Sequence, residues 1–211
     1  MGQTIIIEIK EIFYFAKRNY GEIVTVSFAV LFLILNEYHQ VWNRWFSSVL
    51  FYAALPIVII TVLLRRNPLD FGLRLGKPKI WVIHVILTCL ISIPVLYFSS
   101  FNTSLQNYYT IDNFNPFIYF LEASAYLFAW EFIFRGFLLF GLKDKFREVS
   151  ILLQMVPFAL LHVGKPEIET LSTIVTGIYL GYVVYRGNCY WPAFIIHLFI
   201  NLTLVFLVNL L

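Results

Sequence analysis

Trp130-Glu131-Phe132-Ile133-Phe134-Arg135-Gly136 sets a carboxylate and a guanidinium four residues apart inside an apolar run. The run extends from Pro116 to Leu142, and Glu122 is its only other charge. Apolar runs of about 20 residues or more are membrane-span candidates. A charge inside a span is costly, so it normally faces the bundle interior and marks a functional site. Positions i and i+4 share a helix face, so Glu131 and Arg135 can pair. The pair can serve chemistry, or it can simply lock helices together. The rest of the chain has to decide.

The composition sets the class. Of 211 residues, 60% are hydrophobic and 13% charged, with 22 Phe; soluble domains carry about 25% charged residues. The mean hydropathy is +0.80. This predicts an all-α, polytopic membrane helix bundle, residues 1–211 forming a single integral-membrane domain. A net charge of +3 is too small to suggest nucleic acid, and the basic residues sit in short loops. Cys89 and Cys189 lie in or beside apolar runs, which indicates neither a disulfide framework nor a cysteine metal site.

Outward from the opening stretch, about seven transmembrane helices are expected, preceded by an N-terminal interfacial helix. Residues 4–20 mix Ile, Phe, Glu and Lys as an interfacial amphipathic helix does. The spans read as 21–36, 45–64, 80–100, 116–142, 149–163, 168–185 and 189–211. Residues 101–115 read as a polar loop without Lys or Arg. The fifth span is the weakest, at about 22 Å as helix. Gly177 and Gly181 are four apart, a spacing that permits close helix approach. Seven spans put Lys10, Lys17, Arg18, Arg65, Arg66, Arg74, Lys77, Lys79, Lys143, Lys145, Arg147 and Arg186 on one side. Only Arg44 and Lys165 fall on the other. By the positive-inside rule the N-terminus is cytoplasmic, the C-terminus is not, and the chain is a multi-pass protein of the plasma (inner) membrane.

Polar residues within the spans converge in depth. Counted at about 1.5 Å per residue from the basic end, Glu131 lies about 16 Å deep, His162 about 20 Å, His197 about 12 Å and Asn201 about 18 Å. Three helices thus bring an acid, two imidazoles and an amide to one level, with side chains expected within about 10 Å of each other. Phe158 and His162 share a face, as do His197 and Asn201. A carboxylate beside an imidazole can deprotonate water. A second imidazole and an amide can donate to an oxyanion. Glu131, His162 and His197 are also candidate ligands for a divalent metal, although the His-Glu-x-x-His helix is absent; the cofactor is left unknown. His84 reads as a histidine bonded to a neighbouring helix.

Glu131-x-x-Phe134-Arg135-Gly136, Phe158-x-x-x-His162 and His197-x-x-x-Asn201 resemble, in order and spacing, the three motifs of the CPBP (Abi) family. These are intramembrane CAAX-type proteases and bacteriocin-processing or immunity proteins. The resemblance covers roughly residues 115–205, through Gly177-x-x-x-Gly181, Arg186-Gly187-Asn188 and Trp191-Pro192, with Phe71-Gly72-Leu73-Arg74 upstream. It implies an intramembrane endopeptidase acting on a membrane-anchored or prenylated polypeptide, within the lipid bilayer. Glu131 and His162 would activate water, His197 and Asn201 would bind the oxyanion, and Arg135 and Phe158 would support them. The family has been described as metalloproteases, but the resemblance does not require a bound metal. Its first motif usually has two adjacent glutamates, the first taken as catalytic; here that place is Trp130. Either the helix is rotated so that Glu131 faces the site, or peptidase activity is lost. In the second case the chain is a non-catalytic immunity or partner-binding protein. Glu167 and Glu169 offer a second acid near the far mouth, or form a solvated loop. A proton-relay transporter is a third reading, unsupported by any repeat.

Overall fold

The computed structural model describes residues 2–211, with side chains from residue 4. Helix α1 (Gly2–Arg18) carries exposed Ile, Phe and Tyr side chains along its length and packs chiefly on the next helix. Six helices are long and apolar enough to cross a membrane. They are α2 (Tyr20–Tyr38), α3 (Arg44–Val62), α4 (Pro78–Ser99), α6 (Pro116–Phe146), α8 (Glu167–Gly187) and α9 (Trp191–Leu210). The shorter apolar helix α7 (Val149–Leu160) lies between α6 and α8. No strand is present among the described residues. The chain is an all-helical, multi-pass integral membrane protein.

The expected fifth span is therefore shortened. Its 12 residues cover about 18 Å as helix, less than the roughly 30 Å hydrocarbon core. It still joins opposite ends of the bundle. Ser150 Oγ donates to Arg147 O at the basic end (2.6 Å), and His162 O accepts from Thr170 Oγ1 at the other (2.7 Å). The loop expected over 101–115 is partly helical. Asn102 caps α5 (Thr103–Tyr109), its side chain accepting from the backbone N–H of Ser104 and Leu105. Leu105 is buried against Leu96 and Leu204.

The bundle is organised around α6. Its segment Phe132–Leu138 is a π-helix with all seven residues buried, and it meets a second π-helical stretch, Leu50–Ala54, inside α3. Such wide turns shift which residues share a face and often occur at functional sites. Surrounding helices expose apolar side chains instead: on α4, Ile83, Ile86, Leu87, Leu90 and Ile91 all point outward. Outward apolar side chains of that kind suit lipid. Close approach of α7 to α8 depends on glycine: a Cβ on Gly181 would stand 2.6 Å from Gln154 Nε2. Gln154 Nε2 donates to Gly177 O at 2.9 Å, tying the two helices together.

At the basic end, the loop after α3 folds under the start of α9. Tyr190 N–H donates to Gly72 O (3.0 Å) and Trp191 Nε1 to Leu73 O (2.9 Å). Lys143 Nζ donates to Asn188 Oδ1 (2.7 Å). Gly76 holds φ +59°, and a Cβ there would stand 2.7 Å from Asn188 O. Gly76→Ala is expected to destabilise the protein by about 1–3 kcal/mol, from left-handed backbone strain and the clash combined. A lowered melting temperature in detergent checks this. At the opposite end Asn209 Nδ2 donates to Tyr109 O (2.8 Å), tying the last helix to the end of α5.

Candidate active site

Trp130 and Glu131 are successive residues of α6, so their side chains leave the helix about 100° apart. The two go to different places. Trp130 forms part of the wall of a cavity of about 460 Å³ that His162, His197 and Asn201 also line. Glu131 does not line it and is fully buried. Its Oε1 accepts from His197 Nδ1 at 2.6 Å and from Arg135 Nη1 at 3.3 Å. Oε2 lies 3.2 Å from the same Nη1, out of hydrogen-bond alignment. The i, i+4 pairing expected of Glu131 and Arg135 is present, and the acid sits behind His197 rather than in the cavity. Trp130 stands on that wall and Glu131 reaches the cavity through His197, an arrangement that neither a rotated helix nor an acid detached from the site describes.

Arg135 is also fully buried. Its Nε and Nη2 find no acceptor among the described residues, and Cζ lies 3.8 Å from the Phe158 ring centroid. Cation–π attraction replaces part of the lost hydration. Phe158 therefore links the whole group: its ring centroid is 4.6 Å from that of His162 and 6.2 Å from that of His197.

Each imidazole has one nitrogen committed. His162 Nδ1 lies 2.7 Å from Phe158 O. A carbonyl only accepts, so Nδ1 carries the proton and Nε2 keeps a lone pair. His197 Nδ1–H donates to the Glu131 carboxylate, the kind of second partner that fixes an imidazole's orientation. Asn201 Oδ1 accepts from Tyr119 OH at 2.8 Å, which leaves both Nδ2–H donors without a protein acceptor among the described residues. Tyr119 was not a candidate from the sequence, because one Tyr among 13 carries no signal without its partner.

A second, more apolar cleft of about 630 Å³ lies between α4, α8 and α9. It shares Tyr109, His162, Lys165, His197 and Asn201 with the first, so the two histidines stand where the spaces adjoin. Glu169 is not a solvated loop residue. It accepts from Tyr109 OH at 2.7 Å and pairs with Lys165 Nζ at 2.8 Å. Burial first, then the Glu169 carboxylate, holds the Tyr109 phenol well above its ordinary range, so it remains a donor. Glu167 is not among the residues lining either space. His84 Nδ1 lies 3.3 Å from Tyr179 OH on α8, as a histidine bonded to a neighbouring helix should.

Among the described residues, no three His, Cys, Asp or Glu side chains converge as metal ligands. Glu131 is spent on an imidazole N–H and a guanidinium, so Glu131, His162 and His197 as arranged do not fit a metal.

The family of Rce1-like proteins, type II CAAX prenyl endopeptidases, matches residues 112–203. No curated protein and no solved structure matches the chain. The matched segment holds the charged pair of α6, the Phe158–His162 turn and the His197–Asn201 face. The match to the Rce1-like family model thus spans residues 112–203, the stretch that carries all three motifs.

Proposed function

We propose that this chain is an intramembrane endopeptidase that hydrolyses a peptide bond of a membrane-anchored or prenylated polypeptide. The observation that carries the reading is the pair of imidazoles, each fixed through Nδ1, lining one cavity with the free amide of Asn201. His162 Nε2, with its lone pair, takes a proton from water as the water oxygen attacks the substrate carbonyl. His197, charge-matched by Glu131, and Asn201 Nδ2 donate to the oxyanion that forms. The proton on His162 then passes to the amide nitrogen, the C–N bond breaks, and a carboxylic acid and an amine leave. Glu131 acts through His197, and Arg135 holds Glu131. The adjoining apolar cleft offers room for the lipid-bearing part of such a substrate.

Asn201→Ala tests the oxyanion role. It is expected to lower kcat by roughly 10²–10³-fold with KM little changed, because the donor acts on charge that develops only in the transition state. Purified protein and a fluorogenic farnesylated peptide provide the measurement. Unchanged kcat would remove Asn201 from the chemistry.

The basic residues clustered at one end support an N-terminus in the cytoplasm of a plasma (inner) membrane. Reporter fusions at both termini check this. A cytoplasmic signal from a fusion after Leu211 would overturn it.

A further inference from the structure

Four buried polar atoms around the charged pair of α6 have no hydrogen-bond partner among the described residues. They are Glu131 Oε2, Arg135 Nε and Nη2, and the Tyr190 hydroxyl. All three residues are fully buried. A buried polar group costs free energy unless it is hydrogen-bonded, so such groups collect partners. This set is complementary: the guanidinium and the phenol supply donors, and the carboxylate oxygen accepts.

Packing brings the three side chains to one place. Phe128, Glu131 and Phe132 follow the i, i+3, i+4 pattern of one helix face. The Tyr190 ring lies on that face, its centroid 5.6 Å from that of Phe128 and 5.8 Å from that of Phe132. Tyr190 precedes α9 in helical backbone (φ −88°, ψ −14°). His197 follows it by seven residues, two turns along the same side. The two therefore flank Glu131, with His197 Nδ1 on Oε1 at 2.6 Å. Residues 71–74 anchor Tyr190 from the basic end, Gly72 O accepting from its N–H at 3.0 Å. Burial first, then the Glu131 carboxylate, holds the Tyr190 phenol well above its ordinary range, so it keeps its proton. Charges act on a phenol in this way from nearby.

We propose that Tyr190 is a positioning residue for Glu131, acting through one buried water. The water accepts from the Tyr190 hydroxyl and from a free Arg135 N–H, and it donates to Glu131 Oε2. Three bonds are usual for a buried water. The carboxylate is then held at both oxygens, Oε1 by His197 and Oε2 by the water. The effect on turnover rests on the hydrolase reading above; the water site does not.

Tyr190→Phe removes the hydroxyl and keeps the ring. Its melting temperature and single-turnover rate are compared with wild type, and the same change is made in the Glu131→Gln/Arg135→Gln background. A bonded hydroxyl predicts a melting temperature lower by about 2–4 °C. Without the two charges that loss should fall to about half or less, because hydrogen bonds to charged groups are roughly twice as strong as neutral ones. On a farnesylated fluorogenic peptide, kcat should fall about 2–10-fold with KM unchanged. A high-resolution density map should show the water about 3 Å from both oxygens; direct contact of the two oxygens overturns the bridge. A melting temperature unchanged or raised by Tyr190→Phe overturns the proposal, since an orphan hydroxyl is better removed. An equal loss in both backgrounds overturns it too, because the hydroxyl then bonds elsewhere. Coupled stability with unchanged kcat overturns the positioning role. Coupled stability in a chain that cleaves no membrane-anchored peptide upholds the water site and ends the peptidase reading. Absent coupling in a chain that does cleave overturns the water site and leaves the peptidase reading standing.

Discussion

Glu131→Gln will lower turnover by about 10²–10⁴-fold, the range by which a positioned proton-transfer apparatus accelerates a reaction. The loss should appear in kcat with KM nearly unchanged, and in an altered pH profile, because Glu131 reaches the substrate only through His197. Glutamine keeps the shape but no longer matches the imidazole's charge. The change also removes the one carboxylate facing Arg135, whose side chain is fully buried. Breaking a buried ion pair from one side typically costs about 3–5 kcal/mol. Stability will therefore fall along with activity, and the two effects have to be separated. Glu131→Gln combined with Arg135→Gln removes both charges and should recover much of the stability while leaving turnover low. Melting temperatures and single-turnover rates of the single and double variants measure this. Recovery of turnover in the double variant would show that Glu131 only balances Arg135.

Trp130→Glu carries the second large effect. Trp130 is 6% exposed. Its ring centroid lies 5.4 to 5.8 Å from those of Tyr52, Tyr126, Phe134 and His162. Emptying a packed aromatic site costs about 3–5 kcal/mol. The variant adds a second carboxylate beside Glu131, so a further cost arises from two like charges. A marked fall in melting temperature is expected, with no gain in cleavage. Trp130→Ala separates the packing loss from the charge. Cleavage switched on by Trp130→Glu in a protein otherwise silent on every membrane-anchored peptide would overturn the peptidase reading. The chain would then be an immunity or partner-binding protein that kept the fold.

Trp130 also shows where sequence reasoning runs out. The spacing alone establishes that Glu131 and Arg135 share a face, because 3.6 residues per turn leaves no choice. It also brings Phe158 to the face of His162, and His197 to that of Asn201. Hydropathy and length establish a helical membrane bundle, since only structures that satisfy their own backbone hydrogen bonds cross lipid. What spacing cannot give is rotation of α6 about its axis relative to α9. Packing of Trp130 among its neighbouring rings and the π-helical segment that follows set that rotation. They turn Glu131 behind His197 and away from the cavity. The helix in residues 103–109 was hidden for a related reason: its cap at Asn102 is local, but Leu105 becomes a core residue only against Leu96 and Leu204, from distant helices. Tyr119 and Tyr109 gain meaning only from partners 82 and 60 residues away. Local periodicity decides which residues can act together on one helix. Contacts between helices decide which of them meets the substrate, because a rotation of one residue along the helix moves a side chain by about 100°.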